Sequence, residues 1–476
     1  MPRSTLVKVI ASVAALALAV ASCASSAEVA TDPGQTPAAA VPDTATSTPE
    51  VEAAPTAVPE PTEAPVPSAS PGTPVPTTAP IPTPTNPATP TANPTPSPEW
   101  HTCAFEPSGA GPSGATPLRT EVVVDGLEIP WGLVMLPDGD LLITERPGRV
   151  RLVDDGVLVE EPVLEIGVSI APPLFGIDLL NSEGGLLGIL LHPEFEQNRF
   201  FYIFANVLDD EGVDIGRIDR YVLAVDGRSA ELDRVILDDL PAGVHHQGGR
   251  MHVGPDGHLY VGVGAFEPFE AQDPDSLAGK LLRIDLDGGI PADNPDPTSP
   301  VFVRGIRNSQ GFDWFDDDHL VMVDHGPSGL ELDMPDLRGF DEINVVRAGQ
   351  NLGWPRVWGC DQEPDLVSPV LTWATSVPPT GAAFYRGDAI PEWTNSFLFT
   401  VVGRAADGQH LHRVEFAPGD PYTVVEHEVY LPNEYGRLRT IVEAPDGSLY
   451  VMTSNCDGRG TCPAVGDRVI RIGPAG

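Results

Sequence analysis

Apolar and polar positions along this chain recur as one short unit, a tight turn followed by a strand. Arg250 to Val253 alternates, Pro255-Asp256-Gly257 supplies a turn, and Leu259 to Val263 alternates again. Pro presets φ there, Gly takes a positive φ, and the flanking alternation reads as a β-hairpin. The unit returns as Leu136-Pro137-Asp138-Gly139 before Leu141-Leu142-Ile143, and as Ala444-Pro445-Asp446-Gly447 before Leu449-Tyr450-Val451. Phe315 to Met322 is a degenerate copy, and His192-Pro193-Glu194-Phe195 before Phe200 to Ile203 is a cousin. Helical periodicity is almost lacking. Repeated short strands with tight turns predict an all-β chain, and a closed β-propeller over a sandwich. The uneven spacing of the units predicts long loops, which in a propeller build a site on one face.

The first hundred residues follow other rules. Residues 1–22 read as an export signal: Arg3 and Lys8 give the charged start, Val9 to Ala19 the apolar core, and small residues follow. That core is too short for a comfortable membrane span. Val20-Ala21-Ser22-Cys23 has the form of a bacterial lipobox, so Cys23 is the expected lipid attachment point and new N-terminus. Residues 23–99 are dominated by Pro, Thr, Ala and Ser, and from Ala24 to Glu99 there is no Lys, Arg or aromatic residue. Such a segment cannot bury enough apolar surface to offset chain entropy, and is expected to be a disordered, semi-extended tether. Residues 100–476 are the expected folded head, exported and held at the cell envelope by the lipid alone.

Charge narrows the possible partners. The chain carries a formal net charge of -41, which excludes nucleic acid and anionic membrane surfaces. Lys8 and Lys280 are the only lysines, so an arginine cluster in the head would point to an anionic ligand. Four cysteines remain beyond Cys23. In an exported protein an even number implies disulfides. Cys456 and Cys462 flank the loop Asp457-Gly458-Arg459-Gly460-Thr461 and are expected to pair, leaving Cys103 with Cys360. No Cys/His spacing suits a metal site.

His245-His246-Gln247-Gly248-Gly249-Arg250 runs straight into the first hairpin described above. A histidine at a strand mouth, with glycines that open space before it, is placed for general-base work. Two surface histidines on a loop are the plain alternative. Arg437 and Arg439 stand two apart, so a strand points both to one face, and guanidinium forks suit carboxylates. A solvated strand face is the alternative there.

Several stretches together carry a resemblance. Glu128 to Leu133 with Thr144-Glu145-Arg146-Pro147-Gly148, Gly184 to Gly188, His246 to Arg250 and Ser276 to Arg283 are among them. Gly305-Ile306-Arg307-Asn308-Ser309-Gln310-Gly311, His325-Gly326-Pro327, Asp341 to Asn344, Asn351 to Pro355 and Gly436 to Arg439 follow in order. From about Leu118 to Ile472 the chain resembles the soluble quinoprotein glucose/sorbosone (aldose sugar) dehydrogenases. The resemblance implies a six-bladed β-propeller that binds pyrroloquinoline quinone (PQQ) and Ca²⁺ and oxidises an aldose at C1 to the lactone. It implies His246 as the base, Arg307 beside the quinone, and Glu183, Asn308, Arg404, Arg437 and Arg439 as further cofactor contacts. Carbonyls of Gly326 and Pro327 would hold the catalytic Ca²⁺, and Glu342 a second, structural ion. An exported electron acceptor would reoxidise the cofactor.

Four departures accompany it. Glu183 stands where the family carries Gln, and a carboxylate there would repel an anionic cofactor unless it is protonated or binds Ca²⁺. Ala265 stands where the family has the carboxylate that orients the histidine, with Glu267 two residues on. His246 is therefore expected to keep an ordinary pKa of about 6.5. Arg404 replaces a family Lys, and Ser328 to Phe340 is a short insertion. Glu183 and Ala265 support a rival reading, a sugar- or glycan-binding propeller without PQQ chemistry, and a Ca²⁺-dependent lactonase on the same architecture is a third.

Overall fold

The computed structural model describes residues 102–170, 182–329, 337–403 and 408–475. The export signal, Cys23, the tether and Arg404 lie outside the described residues, as does most of the 328–340 insertion.

Six antiparallel sheets follow one another along the chain as the blades of a propeller. Blade 1 is Pro130–Met135, Leu141–Glu145 and Arg149–Asp154, with two short strands on its outer edge. Blade 2 is Leu186–Leu191, Phe200–Leu208, Asp214–Leu223 and Ala230–Pro241. Blade 3 is Met251–Val253, Leu259–Val263, Lys280–Ile284 and Val301–Arg304. Blade 4 is Gly311–Trp314, Leu320–Asp324, Glu342–Val346 and Leu371–Trp373, to which Ala104–Glu106 adds in parallel. Blade 5 is Pro379–Phe384, Phe397–Val401, Leu411–Ala417 and Asp420–Tyr430. Blade 6 takes Leu438–Glu443, Leu449–Thr453 and Asp467–Pro474 from the C-terminal end and Leu118–Leu127 from the other. That last pairing closes the ring.

The recurring sequence unit has one structural meaning. In blades 1, 3 and 6 it is the hairpin between the innermost strand and its neighbour. Each copy closes with the same two bonds, as in Gly254 N–H to His258 O (2.9 Å) and Gly257 N–H to Gly254 O (2.9 Å). Gly139, Gly257 and Gly447 all have φ between 76° and 97°, which Gly alone adopts without strain. All these turns lie on one end of the ring. The other end is therefore left to the segments that enter the inner strands and leave the second ones.

One expectation changes with tertiary packing. Leu259 to Val263 reads as a half-buried alternating strand, yet all five residues are buried. Leu141–Glu145 and Phe397–Val401 are the same. Each blade is covered on both faces by its neighbours, so a middle strand has no solvent side. Outer strands such as Leu118–Leu127 keep several exposed positions.

The innermost strands pack around the axis. Arg250 lies there across four blades. Its guanidinium donates to Gln310 O (2.8 Å) and Thr440 Oγ1 (3.0 Å) and stacks 4.5 Å from the Trp131 ring. Burial lowers its pKa to about 9.

Cys103–Cys360 and Cys456–Cys462 are disulfides. The first ties the added strand Ala104–Glu106 to blade 4 across 257 residues. Replacing Cys103 and Cys360 together by Ser should cost about 2–5 kcal/mol, read as a lower denaturant midpoint. An unchanged midpoint would mean that strand pairing alone secures this end.

Candidate active site

Gly248 and Gly249 have φ of 67° and 89°, and a Cβ on Gly248 would lie 2.3 Å from Gly262 O. They let the chain pass close to the neighbouring strand just before blade 3 begins. His246, two residues earlier, has φ 62°, a left-handed conformation that few side-chain-bearing residues adopt. Two contacts fix it. Its backbone N–H donates to Glu183 Oε2 (2.8 Å), and its ring Nδ1 lies 2.9 Å from Ala265 O. A carbonyl only accepts, so Nδ1 carries the proton and Nε2 keeps a free lone pair.

This corrects the expectation that Ala265 leaves His246 without a partner. The backbone carbonyl at 265 does the orienting that a side-chain carboxylate would do. The Ala265 methyl faces an apolar pocket with Ala271, Ala278 and Trp354, where a carboxylate would be buried unpaired. Glu267 instead opens the 3₁₀ turn Pro268–Gln272. The expected pKa also changes. Burial, then the Arg307 charge, hold His246 well below the ordinary histidine range, and Glu183 opposes them only in part.

Glu183 is not a bare repulsive charge. Arg459 Nη1 donates to its Oε1 at 2.5 Å, and His245 Nδ1 stands 3.9 Å from the same oxygen. Burial acts to raise this carboxyl, but Arg459 and both histidines outweigh it and hold it well below the usual carboxylate range.

Arg437 and Arg439 are 2 % and 7 % exposed, so the solvated strand face is excluded. Arg437 Nη2 pairs with Asp457 Oδ2 at 2.7 Å, and Arg439 Nη2 reaches the same oxygen at 3.5 Å. Arg439 Nη1 donates to Gln310 Oε1 (2.7 Å), while its buried Nε has no hydrogen-bond partner among the described residues. Arg146 joins the cluster, its Nε on Gly184 O at 3.0 Å. Among the described residues, four guanidiniums, Arg146, Arg437, Arg439 and Arg459, thus gather around two carboxylates, Glu183 and Asp457.

Arg307 supplies more positive charge on the blade 4 side. It is 2 % exposed, donates to Ser328 Oγ (2.8 Å) and lies 5.4 Å from the Trp354 ring. Asp324 accepts from the backbone N–H of Arg307 (2.9 Å) and of Asn308 (2.7 Å), holding that turn. Burial raises Asp324 to about 7. Asn308 Oδ1 accepts from Gly248 N–H (3.1 Å), which links this turn to the histidine loop.

The segments expected to bind Ca²⁺ follow. Gly326 N–H donates to Asp341 Oδ1 (3.0 Å), and Pro327 O accepts from Gly339 N–H (3.1 Å). Glu342 is buried, accepts from Gly359 N–H (2.6 Å) and Asn344 Nδ2 (3.1 Å), and is pushed by burial to about 8. Beside it the buried Asn344 Oδ1 has no hydrogen-bond partner among the described residues. Among the described residues no three His, Cys, Asp or Glu side chains gather as a metal site.

Asp457 and Arg459 were not singled out in the sequence, and Arg146 only as part of a motif. The available signal was an arginine and an aspartate inside a disulfide-closed loop, in a chain with few cations. Arg459 also lines a cavity of about 330 Å³ with Gln409, Tyr435, Gly436 and Asn455.

The sequence pattern of the glucose/sorbosone dehydrogenases matches residues 127–462. Aldose sugar dehydrogenase YliI of Escherichia coli (strain K12) is 31% identical over 369 residues, covering 72% of this chain and 91% of that protein. Quinoprotein glucose dehydrogenase B of Acinetobacter calcoaceticus is 29% identical over 268 residues, covering 50% and 52%. The solved PQQ-bound aldose sugar dehydrogenase of Streptomyces coelicolor is 31% identical, with a TM-score of 0.63 over 75% of this chain and 99% of its own. From the first blade into the last, this chain belongs to the glucose/sorbosone dehydrogenase family.

Proposed function

We propose that this protein is a quinoprotein sugar dehydrogenase that oxidises an aldose at C1 to the lactone, with PQQ as its cofactor and Ca²⁺ beside it. The observation that carries the reading is the cluster of buried guanidiniums, Arg146, Arg437 and Arg439, at the same end of the ring as an oriented imidazole, His246. Arg437 and Arg439 would receive carboxylates of the cofactor, and the orphaned Arg439 Nε is a donor without a present acceptor. Arg307 and Asn308 would hold its other side, and Arg404 is assigned there by resemblance alone. Ca²⁺ fits carbonyls of Gly326 and Pro327, and a second ion fits Glu342 with the unpartnered Asn344 Oδ1, since hard cations take oxygen ligands.

When bound, the quinone supplies the two-electron acceptor for the hydride that leaves sugar C1. His246 Nε2 takes the proton of the anomeric hydroxyl, and the imidazolium formed keeps its Nδ1–H on Ala265 O. Arg307, itself buried, would stabilise the negative charge that develops on the bound cofactor. An external electron acceptor completes turnover.

Residues 100–476 are the proposed catalytic head, with 23–99 as a tether and Cys23 as a lipid anchor at the cell envelope. The two disulfides support an oxidising location. The rival readings have lost ground. Glu183 is neutralised, Ala265 orients the histidine through its carbonyl, and a lactonase would want several carboxylates on its metal.

Adding PQQ and Ca²⁺ and following sugar-dependent dye reduction tests the reading directly. Absence of reduction at every pH, with sugar still bound, would leave a binding propeller. Arg437→Ala or Arg439→Ala should weaken PQQ affinity by about 2–4 kcal/mol, measured by titration of the cofactor-free protein. Unaltered affinity in the double variant would remove the pair from the cofactor site.

His246→Gln should keep binding but lower kcat by on the order of 10²–10⁴, the worth of a positioned base. The pH profile follows from the direction of its shift. A base acts unprotonated, and a depressed pKa keeps it unprotonated to lower pH. The acid limb of kcat/KM should therefore fall below the ordinary histidine value of about 6.5. A limb at or above that value would contradict the assignment.

A further inference from the structure

We propose that Arg459 is a positioning residue for His246, acting through the shared carboxylate of Glu183, and that the Cys456–Cys462 loop holds it in place. The proposal rests on the reading that His246 is the base.

The loop leaves blade 6 at Thr453 and is pinned at its root. Asp467, wholly buried, accepts from Asn455 N–H (2.6 Å) and Cys456 N–H (3.1 Å). Asp457 then accepts from Arg459 N–H (3.0 Å) while its other oxygen holds Arg437. The disulfide closes the loop six residues on. Arg459 thus leaves a fixed backbone, and its guanidinium meets Glu183 Oε1 at 2.5 Å and His245 Nδ1 at 3.4 Å.

Glu183 is divided between two tasks. One oxygen belongs to Arg459 and the other accepts the backbone N–H of His246. That bond holds a left-handed, non-glycine residue at the mouth of blade 3, which local preference alone would not keep there. Charge-assisted bonds of this kind are the stronger ones. A carboxylate there brings a negative charge into a site meant for an anionic cofactor, and Arg459 neutralises that charge and fixes the carboxylate's orientation. Glu183 precedes blade 2, His246 precedes blade 3 and Arg459 follows a strand of blade 6, so one carboxylate ties three blades at the reacting centre.

The test is a cycle of Arg459→Met, Glu183→Gln and both together in the full-length protein. Arg459→Met should lower kcat on the order of 10- to 100-fold, the scale of a misplaced base, with KM changed by less than about threefold. Glu183→Gln should recover most of that loss in the double variant. A neutral amide needs no cation, and its oxygen still accepts from His246. Arg459→Lys, which keeps a charge near Glu183, should retain most activity. A raised KM with no recovery in the double variant would make Arg459 a direct substrate contact and overturn the proposal.

A second readout needs neither cofactor nor turnover. The charges facing the His246 ring are Glu183, Arg307 and His245, with Arg459 behind Glu183. In cofactor-free protein followed by histidine NMR, Arg459→Met should raise the His246 pKa, because an unscreened carboxylate favours imidazolium. Glu183→Gln should lower it. Opposite shifts support the coupling even if wild-type protein reduces no dye, whereas shifts of one sign, or none, overturn it.

Discussion

Each blade of this propeller has two apolar faces, and only a closed ring buries both. That constraint governs the rest. It explains why middle strands such as Leu141–Glu145 and Leu259–Val263 are buried at every position instead of alternating, and why Leu118–Leu127 crosses to pair with Asp467–Pro474. It also brings the innermost strands to a shared axis, where Arg250 bridges blades 1, 3, 4 and 6 without a carboxylate partner. A charge so placed is held by carbonyl, hydroxyl and ring contacts whose geometry depends on closure.

Closure also makes the site. The turn-bearing hairpins occupy one end of the ring, so the segments carrying Arg146, Glu183, His246, Arg307, Arg437 and Arg459 converge at the other. Most contacts among them cross between blades. Glu183 meets Arg459 across 276 residues, and Arg250 meets Thr440 across 190. A chain with formal net charge -41 thereby gathers a cluster of buried arginines at one end of the ring. Low-dielectric surroundings strengthen each of these ion pairs and make an unpaired carboxylate costly. Glu183 and Asp457 are accordingly both matched to arginines.

The histidine shows how a departure from a familiar side-chain pattern can leave the physical requirement met. What the base needs is an acceptor on Nδ1, and the carbonyl of Ala265 provides one. The apolar pocket around the Ala265 methyl then becomes compatible with a small side chain. Reading the position by side chain alone predicted an unsupported imidazole; reading it by hydrogen-bonding group gives a fixed tautomer.

The sequence alone determined what local chemistry decides. The Pro-Asp-Gly turns, the alternating strands, the glycine pair beside His246 and the arginine pair at 437 and 439 are all set by preferences spanning a few residues. So is the short span between Cys456 and Cys462, and the motif order carried the family resemblance. What only the tertiary structure decided are partners and environments. Arg459 as the counter-charge of Glu183, Asp457 between Arg437 and Arg439, and the lowered pKa of His246 depend on which segments closure brings together. Burial and long-range pairing follow from packing both faces of every blade, and no local pattern encodes them.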